Sequence, residues 1–171
     1  RLLDVGARNA LLPNTGRGFR NEWQAILETC GSKSGFKEKY GDPVQHNIET
    51  YLFFDRTNPS SIASCIATAR ENARIARASL TTQIWDTMNV AYQEMVEMQR
   101  TERSKLALSE LTDWTRRTAA LVRGSIESTL LRNDGYHFLN LGYALERADN
   151  TARILDVKYY VLLPEASYVG T

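Results

Sequence analysis

Apolar residues recur along most of the chain at steps of three and four, the spacing that gathers them on one face of an α-helix. Over 61–80 that face is Ile62, Ile66, Ala69, Ala73, Ala76 and Leu80. Asn58-Pro59-Ser60-Ser61 precedes it with a turn and a hydroxyl able to cap a helix. Thr81-Thr82 can cap the next helix, which carries Trp85, Met88, Tyr92 and Met95. The pattern returns over 105–132 with Leu108, Leu111, Thr115, Ala119, Val122, Ile126 and Leu130. Asn133-Asp134-Gly135 then breaks the run and caps the most regular helix, with Phe138, Leu141, Leu145, Ala148, Ala152, Leu155, Tyr159 and Leu162 in strict register. This is about 25 residues of the seam that joins helices in bundles. Pro164 ends it. Ala148 and Ala152 at its centre would let a neighbouring helix approach closely.

The region before residue 60 is less regular. Trp23, Ile26 and Leu27 predict a short helix ending near Gly31. Ser32–Gly41 is polar and reads as a loop or a single turn, and Tyr40-Gly41-Asp42-Pro43 as a turn. Val44–Phe54 reads as another helix, with Ile48, Tyr51 and Leu52 inward. Gly16-Arg17-Gly18 reads as a flexible basic loop, too short for a phosphate loop. No segment sustains the two-residue alternation of a strand. The expected fold class is all-α, a bundle of antiparallel helices.

Composition narrows the function classes. With 171 residues, 43% apolar and 4 prolines, the chain has the size of one domain and is neither disordered nor collagen-like. Lys+Arg 21 against Asp+Glu 20 argues against a broad nucleic-acid-binding face. Purely apolar runs reach only about five residues, where a membrane span needs about 20. Cys30 and Cys65 stand alone, which suits a reducing, cytoplasmic setting better than a disulfide framework. His46 and His137 are far apart, and the spaced signatures of zinc sites, nucleophile elbows and phosphate loops do not occur. No metal or cofactor is expected. Trp85 and Trp114 are expected in the core, and His137 as a satisfied residue beside the seam.

The chain also echoes itself. Arg1-Leu2-Leu3-Asp4-Val5 matches Arg153-Ile154-Leu155-Asp156-Val157, and each is followed by Leu-Leu-Pro, at Leu11-Leu12-Pro13 and Leu162-Leu163-Pro164. The repeat predicts a duplicated helix, with the front of the first copy upstream of Arg1, and so a fragment of a larger duplicated helical protein.

Two polar stripes are the candidates for chemistry. Glu146, Asp149, Arg153 and Asp156 follow one another at helical spacing beside the seam, with Arg147 and Asn150 elsewhere on the same helix. Glu146 precedes Asn150, and Asp149 precedes Arg153, by four residues. Such a ladder is either a solvated set of weak ion pairs or, set against its echo Arg1 and Asp4, part of a buried network. The second stripe is Arg70, Arg74 and Arg77, with Glu71 and Asn72 alongside. Arginine forks bind oxyanions, so it reads either as an anion clamp or as the partner of Glu146, Asp149 or Asp156 across the bundle. The second alternative is the expected one, with the two stripes facing each other.

Leu145-Glu146-Arg147-Ala148-Asp149-Asn150-Thr151-Ala152-Arg153-Ile154-Leu155-Asp156-Val157-Lys158-Tyr159 resembles the alpha-E family, bacterial all-helical proteins with a Glu-Arg motif. Asn58-Pro59-Ser60-Ser61-Ile62, Ala69-Arg70-Glu71-Asn72-Ala73-Arg74 and Trp85-Asp86-Thr87-Met88-Asn89 join the resemblance in order and spacing. It implies two copies of the motif, the first cut to its tail at Arg1. It also implies company: members are encoded beside, or fused to, a circularly permuted ATP-grasp protein, often with a transglutaminase-like protein. Three readings of function follow. The first is a non-enzymatic partner or substrate-presenting component of an ATP-grasp-linked, amide-bond-forming system. The second is an enzyme using Glu146, Asp149 and Asp156 with Arg70 or Arg74. The third is a structural module that associates with itself through the seam.

Overall fold

The computed structural model describes the backbone of Leu3 and residues 18–162, and the side chains of Leu3 and residues 23–155. The order is α1 Gly18–Thr29, α2 Lys33–Tyr40, α3 Gln45–Phe53, α4 Ile62–Ile75, α5 Thr82–Arg100, α6 Leu108–Thr129 and α7 Asp134–Leu162, with short 3-10 turns at Arg77–Ser79 and Arg103–Lys105. Among the described residues there is no strand. The all-α expectation therefore holds. The chain divides into two compact units, one of Arg1–Ile48 with Tyr143–Thr171, the other of Glu49–Gly142. Helices α3 and α7 each run from one unit into the other. The echoed segment Arg1, Leu2 and Asp4 to Pro13, the residues Gly16 and Arg17 of the expected basic loop, and Pro164 lie outside the described residues.

In the first unit the buried apolar side chains include Trp23, Ile26, Leu27, Phe36 and Ile48. The expected helix around Trp23 is α1, and it ends as the glycine predicts. Gly31 adopts φ 65°, a left-handed conformation that costs a residue without Cβ little. The Ser32 N–H then returns to the Leu27 carbonyl at 3.0 Å. The loop expected over Ser32–Gly41 is instead the helix α2. Its polar surface hides one anchor: Phe36 is buried and stacks on Tyr40 at 5.3 Å. One aromatic pair at i,i+4 spacing stabilises an otherwise solvated two-turn helix.

The second unit is built around α5, which packs against α4 on one side and α6 on the other. The caps anticipated from the sequence are present. The Ser61 Oγ accepts from the Ser64 N–H at 3.1 Å, and the Thr81 Oγ1 from the Ile84 N–H at 3.3 Å. At the start of α7 the Asn133 Oδ1 accepts from the Tyr136 N–H at 3.2 Å. Pairing between α5 and α6 is antiparallel: Thr81 meets Thr129 at 2.7 Å, Thr87 meets Ser125 at 3.1 Å, and Trp114 Nε1 donates to Glu94 at 2.7 Å. Met88 and Met95 are buried as expected, with Ile84 and Ala91 beside them. Trp85 and Trp114 are half-buried rather than enclosed. On α4 the inward face is narrower than its periodicity suggests. Ala63, Ser64 and Ala73 are buried, while Ala69 and, just past the end of the helix, Ala76 are exposed.

Ser61 is fully buried and also donates to the Ser64 hydroxyl at 3.0 Å. Ser61→Ala is expected to destabilise the second unit by about 1–2 kcal/mol through the lost cap. Urea unfolding followed by tryptophan fluorescence measures it, and Ser61→Asp should retain more of the stability than Ser61→Ala.

The largest departure concerns α7. Its seam was expected to be covered by neighbouring helices, yet Phe138 is 73% exposed, Leu141 53%, Leu145 63% and Leu155 66%. Ala148 and Ala152 are exposed as well. The side chains of Tyr159 and Leu162 lie outside the described residues. The helix is held in its unit by another face, described next.

Candidate functional site

The motif residues sit on the α7 portion of the first unit; in the second, Arg70 and Arg74 sit on α4 and Arg77 in the 3-10 turn that follows it. Each has its own chemistry.

On α7, Arg153 is the residue that reaches another element. Its Nε donates to Asp149 Oδ2 at 2.8 Å, one turn back. Its Nη1 donates to the Thr29 carbonyl at 2.5 Å, at the last residue of α1. A helix ends with carbonyls that lack intrahelical donors and with a partial negative charge. A guanidinium set there satisfies one carbonyl and complements the charge. Asp149 and the neighbouring Cys30 hold the Arg153 guanidinium above its ordinary pKa, the Asp149 hydrogen bond first. Burial pushes the Cys30 thiol up, and the charge of Arg153 opposes that shift. Asn150, Arg153 and Ile154 are the half-buried face of this stretch.

Asn150 Nδ2 donates to Glu146 Oε1 and, at 3.1 Å, to the Glu146 carbonyl. Glu146, Arg147 and Asp149 are exposed, so the buried network considered from the sequence does not form from them. Asp156 lies in α7 with its side chain outside the described residues, as do Arg1 and Asp4 of the echo.

On α4, the arginines take partners in their own unit. Arg74 forms a two-point pair with Glu71, at 2.9 and 2.6 Å, three residues away on an exposed surface. That bond holds the Glu71 carboxyl below the usual carboxylate range. Arg74 thus takes the nearest carboxylate on its own helix. Arg70 is placed differently. Its Nε donates to Asn89 Oδ1 at 2.8 Å, and its guanidinium carbon lies 4.7 Å from the Tyr92 ring centroid and 5.7 Å from that of Trp85. Trp85, Asn89 and Tyr92 follow at i, i+4 and i+7 on α5, so one helix face supplies the whole cradle.

Arg77 brings a second guanidinium to within 5.5 Å of the same Trp85 ring. Aromatic faces attract such cations and fix their planes. Among the described residues the terminal nitrogens of Arg70 take no hydrogen bond, so its fork is oriented and open. Asn72 does not join this cluster. It lines a cavity of about 490 Å³ between α4, α5 and α6, with Ala73, Leu80, Ile84, Met88 and Ile126 among its walls.

Sequence reading passed over one residue pair. The chain has a second Glu-Arg dipeptide, Glu102-Arg103, in the 3-10 turn before α6. Arg103 Nη2 pairs with Glu49, whose side chain is only 7% exposed, and Nη1 donates to the Leu106 carbonyl. Its sequence signal is the dipeptide itself, without periodic context. His137 is exposed and meets the Tyr136 ring edge-on at 5.5 Å. Among the described residues no group of three His, Cys, Asp or Glu side chains could hold a metal ion. Among them, too, no helix is long and apolar enough to cross a membrane. Cys30 and Cys65 are both free thiols.

A family model, Alpha-E, described as a predicted alpha-helical domain with a conserved ER motif, matches residues 1–170. The chain belongs to this family. No curated protein and no solved structure matches it.

Proposed function

We propose that this member of the Alpha-E family is a non-enzymatic helical partner of an ATP-grasp protein, and that it presents an anionic group of the substrate at Arg70. The observation that carries the reading is the Arg70 cradle. Asn89 accepts from Nε, and the rings of Tyr92 and Trp85 lie 4.7 and 5.7 Å from the guanidinium carbon, which leaves the terminal nitrogens to donate to a carboxylate or phosphate in two-point fashion. Arg77 on the same tryptophan adds a second positive charge. Amide-bond formation consumes a carboxylate, and a carboxylate-bearing chain is what such a fork holds. The company implied by the family resemblance supplies the ATP-grasp side of the proposal; a transglutaminase-like protein is the further partner it suggests.

Mixing calorimetry with the genomically neighbouring ATP-grasp protein tests the partnership, and absence of heat at high micromolar concentration would overturn it. The anion site has a separate readout. An acetylated dipeptide with a free C-terminal carboxylate should perturb tryptophan fluorescence on titration, and the same peptide ending in an amide should not. Arg70→Ala should weaken carboxylate binding by about 10- to 100-fold, the range for a lost charge-assisted pair of hydrogen bonds. Equal responses to the acid and the amide would remove Arg70 from the proposal.

A further inference from the structure

Arg70 and Arg77 share one aromatic ring: their guanidinium carbons lie 5.7 and 5.5 Å from the Trp85 ring centroid. Both arginines are half-buried, as are Trp85, Asn89 and Tyr92, and all five lie in the Glu49–Gly142 unit. Charged groups drawn out of water usually take acidic partners. Among the described residues these two take none. Arg70 donates through Nε to Asn89, and Arg77 through Nη1 to the Leu80 carbonyl at 3.4 Å, both neutral acceptors. Glu71 stands next to Arg70 in sequence and senses its charge, but both Glu71 oxygens are committed to Arg74, at 2.9 and 2.6 Å. Arg74 is the exposed member of the stripe, its side chain 61% exposed. The exposed arginine is thus neutralised within the chain, and the two half-buried ones are not.

The spacing suits one small dianion. Among the described residues, both terminal nitrogens of Arg70 and the Nη2 of Arg77 take no hydrogen bond, so each guanidinium keeps donors for a ligand. A glutamate at a free carboxyl terminus has its two carboxylate carbons about 5 Å apart, the reach of four bonds of about 1.5 Å along a bent chain. A hydrogen bond of about 3 Å at each end extends that reach across the interval set by the shared ring. A singly charged group engages one arginine and leaves the other without a counter-charge.

We propose that the anionic group held at this site is a dicarboxylate, the glutamyl residue at the free carboxyl end of a peptide, with one carboxylate on Arg70 and the other on Arg77. The inference rests on the reading of Arg70 given above and narrows it from any carboxylate to an acidic terminal residue. Arg70 supplies the anchor, and Arg77 supplies the choice of residue.

Titration calorimetry with N-acetyl-Ala-Glu and N-acetyl-Ala-Gln, both with free carboxyl termini, tests it. The two peptides differ only by an acid and an amide at one position. The glutamate peptide should bind about tenfold more tightly or better, the range for one added charge-assisted contact. Arg77→Gln should bring it down to the affinity of the glutamine peptide and leave the glutamine peptide unchanged. Arg70→Ala should weaken both. Arg77→Lys should keep part of the preference, because the charge remains while the planar fork is lost. A peptide that carries its glutamate four residues before a free carboxyl end has the same two charges set farther apart, and it should bind only as the glutamine peptide does. Equal affinity of the acid and the amide for the wild type, each weakened by Arg70→Ala, would overturn the dicarboxylate and leave the Arg70 reading standing. Binding of neither peptide would remove both. A preference for the acid that survives Arg77→Gln, in a variant with wild-type far-UV circular dichroism, would also overturn the proposal, as would equally tight binding of the peptide with separated charges.

Discussion

Arg103→Ala is expected to destabilise the Glu49–Gly142 unit by about 3–5 kcal/mol, the range for removing one partner of a buried ion pair. Glu49 lies in the core side of α3 with its side chain 7% exposed, and Arg103 is 19% exposed. The guanidinium does two jobs: it neutralises Glu49 and it satisfies the Leu106 carbonyl just before α6. Its Nε is buried with no hydrogen-bond partner among the described residues, so the pair is already short of full satisfaction. Alanine removes both jobs and takes the guanidinium charge away from a largely buried carboxylate, which costs more than the loss of an attraction alone.

Glu49→Leu combined with Arg103→Met should recover most of the loss, since an apolar pair of similar volume carries no desolvation cost. Urea midpoints of the wild type, single and double variants measure these differences. A loss below about 1 kcal/mol for Arg103→Ala would mean that the pair behaves as a solvated surface contact.

The contrast between Arg103 and Arg74 shows what can be read from sequence here. Helix caps were legible at Ser61, Thr81 and Asn133 because a cap is made within three residues by side chains of known chemistry. Arg153 with Asp149, and Asn150 with Glu146, were legible for the same reason: i,i+4 neighbours on a helix meet whatever else the fold does. Long-range partners were not. Arg103 finds a carboxylate 54 residues away, and nothing local in Arg-Thr-Glu-Arg-Ser-Lys marks it. Arg74 was expected to reach a distant acid and instead takes Glu71.

Periodicity has a related limit. It gathered the apolar residues of α7 on one face and pointed that face inward, whereas its described leucines are exposed and the half-buried side is Asn150, Arg153 and Ile154. In α2 the error ran the other way. Eight residues of mostly polar composition hide the one contact, Phe36 on Tyr40, that makes them a helix. The Arg70 cradle was half legible: the arginine was singled out, but its aromatic walls are on α5, and only packing of α4 against α5 brings them together.

Trp23→Ala is expected to destabilise the first unit by about 3–5 kcal/mol, as deletion of a large buried aromatic does when the site cannot collapse. Trp23 is 1% exposed and shares the interior of that unit with Ile26, Leu27 and Phe36, themselves 1–2% exposed. Trp23→Phe should behave very differently. The indole N–H is buried and has no hydrogen-bond partner among the described residues. Phenylalanine leaves a smaller cavity and removes that unsatisfied donor, whose burial itself costs about 1–3 kcal/mol. The two effects oppose each other, so the net change should stay within about 1.5 kcal/mol. Trp85 and Trp114 belong to the other unit, so fluorescence is the wrong probe for this pair of variants. Amide hydrogen exchange along α1 and α2 reads the unit directly. Protection of Leu27 and Phe36 should collapse in Trp23→Ala and survive in Trp23→Phe. Equal loss in both variants would mean that the indole nitrogen is bonded after all, and that its hydrogen bond, not the ring's bulk, anchors this half of the chain.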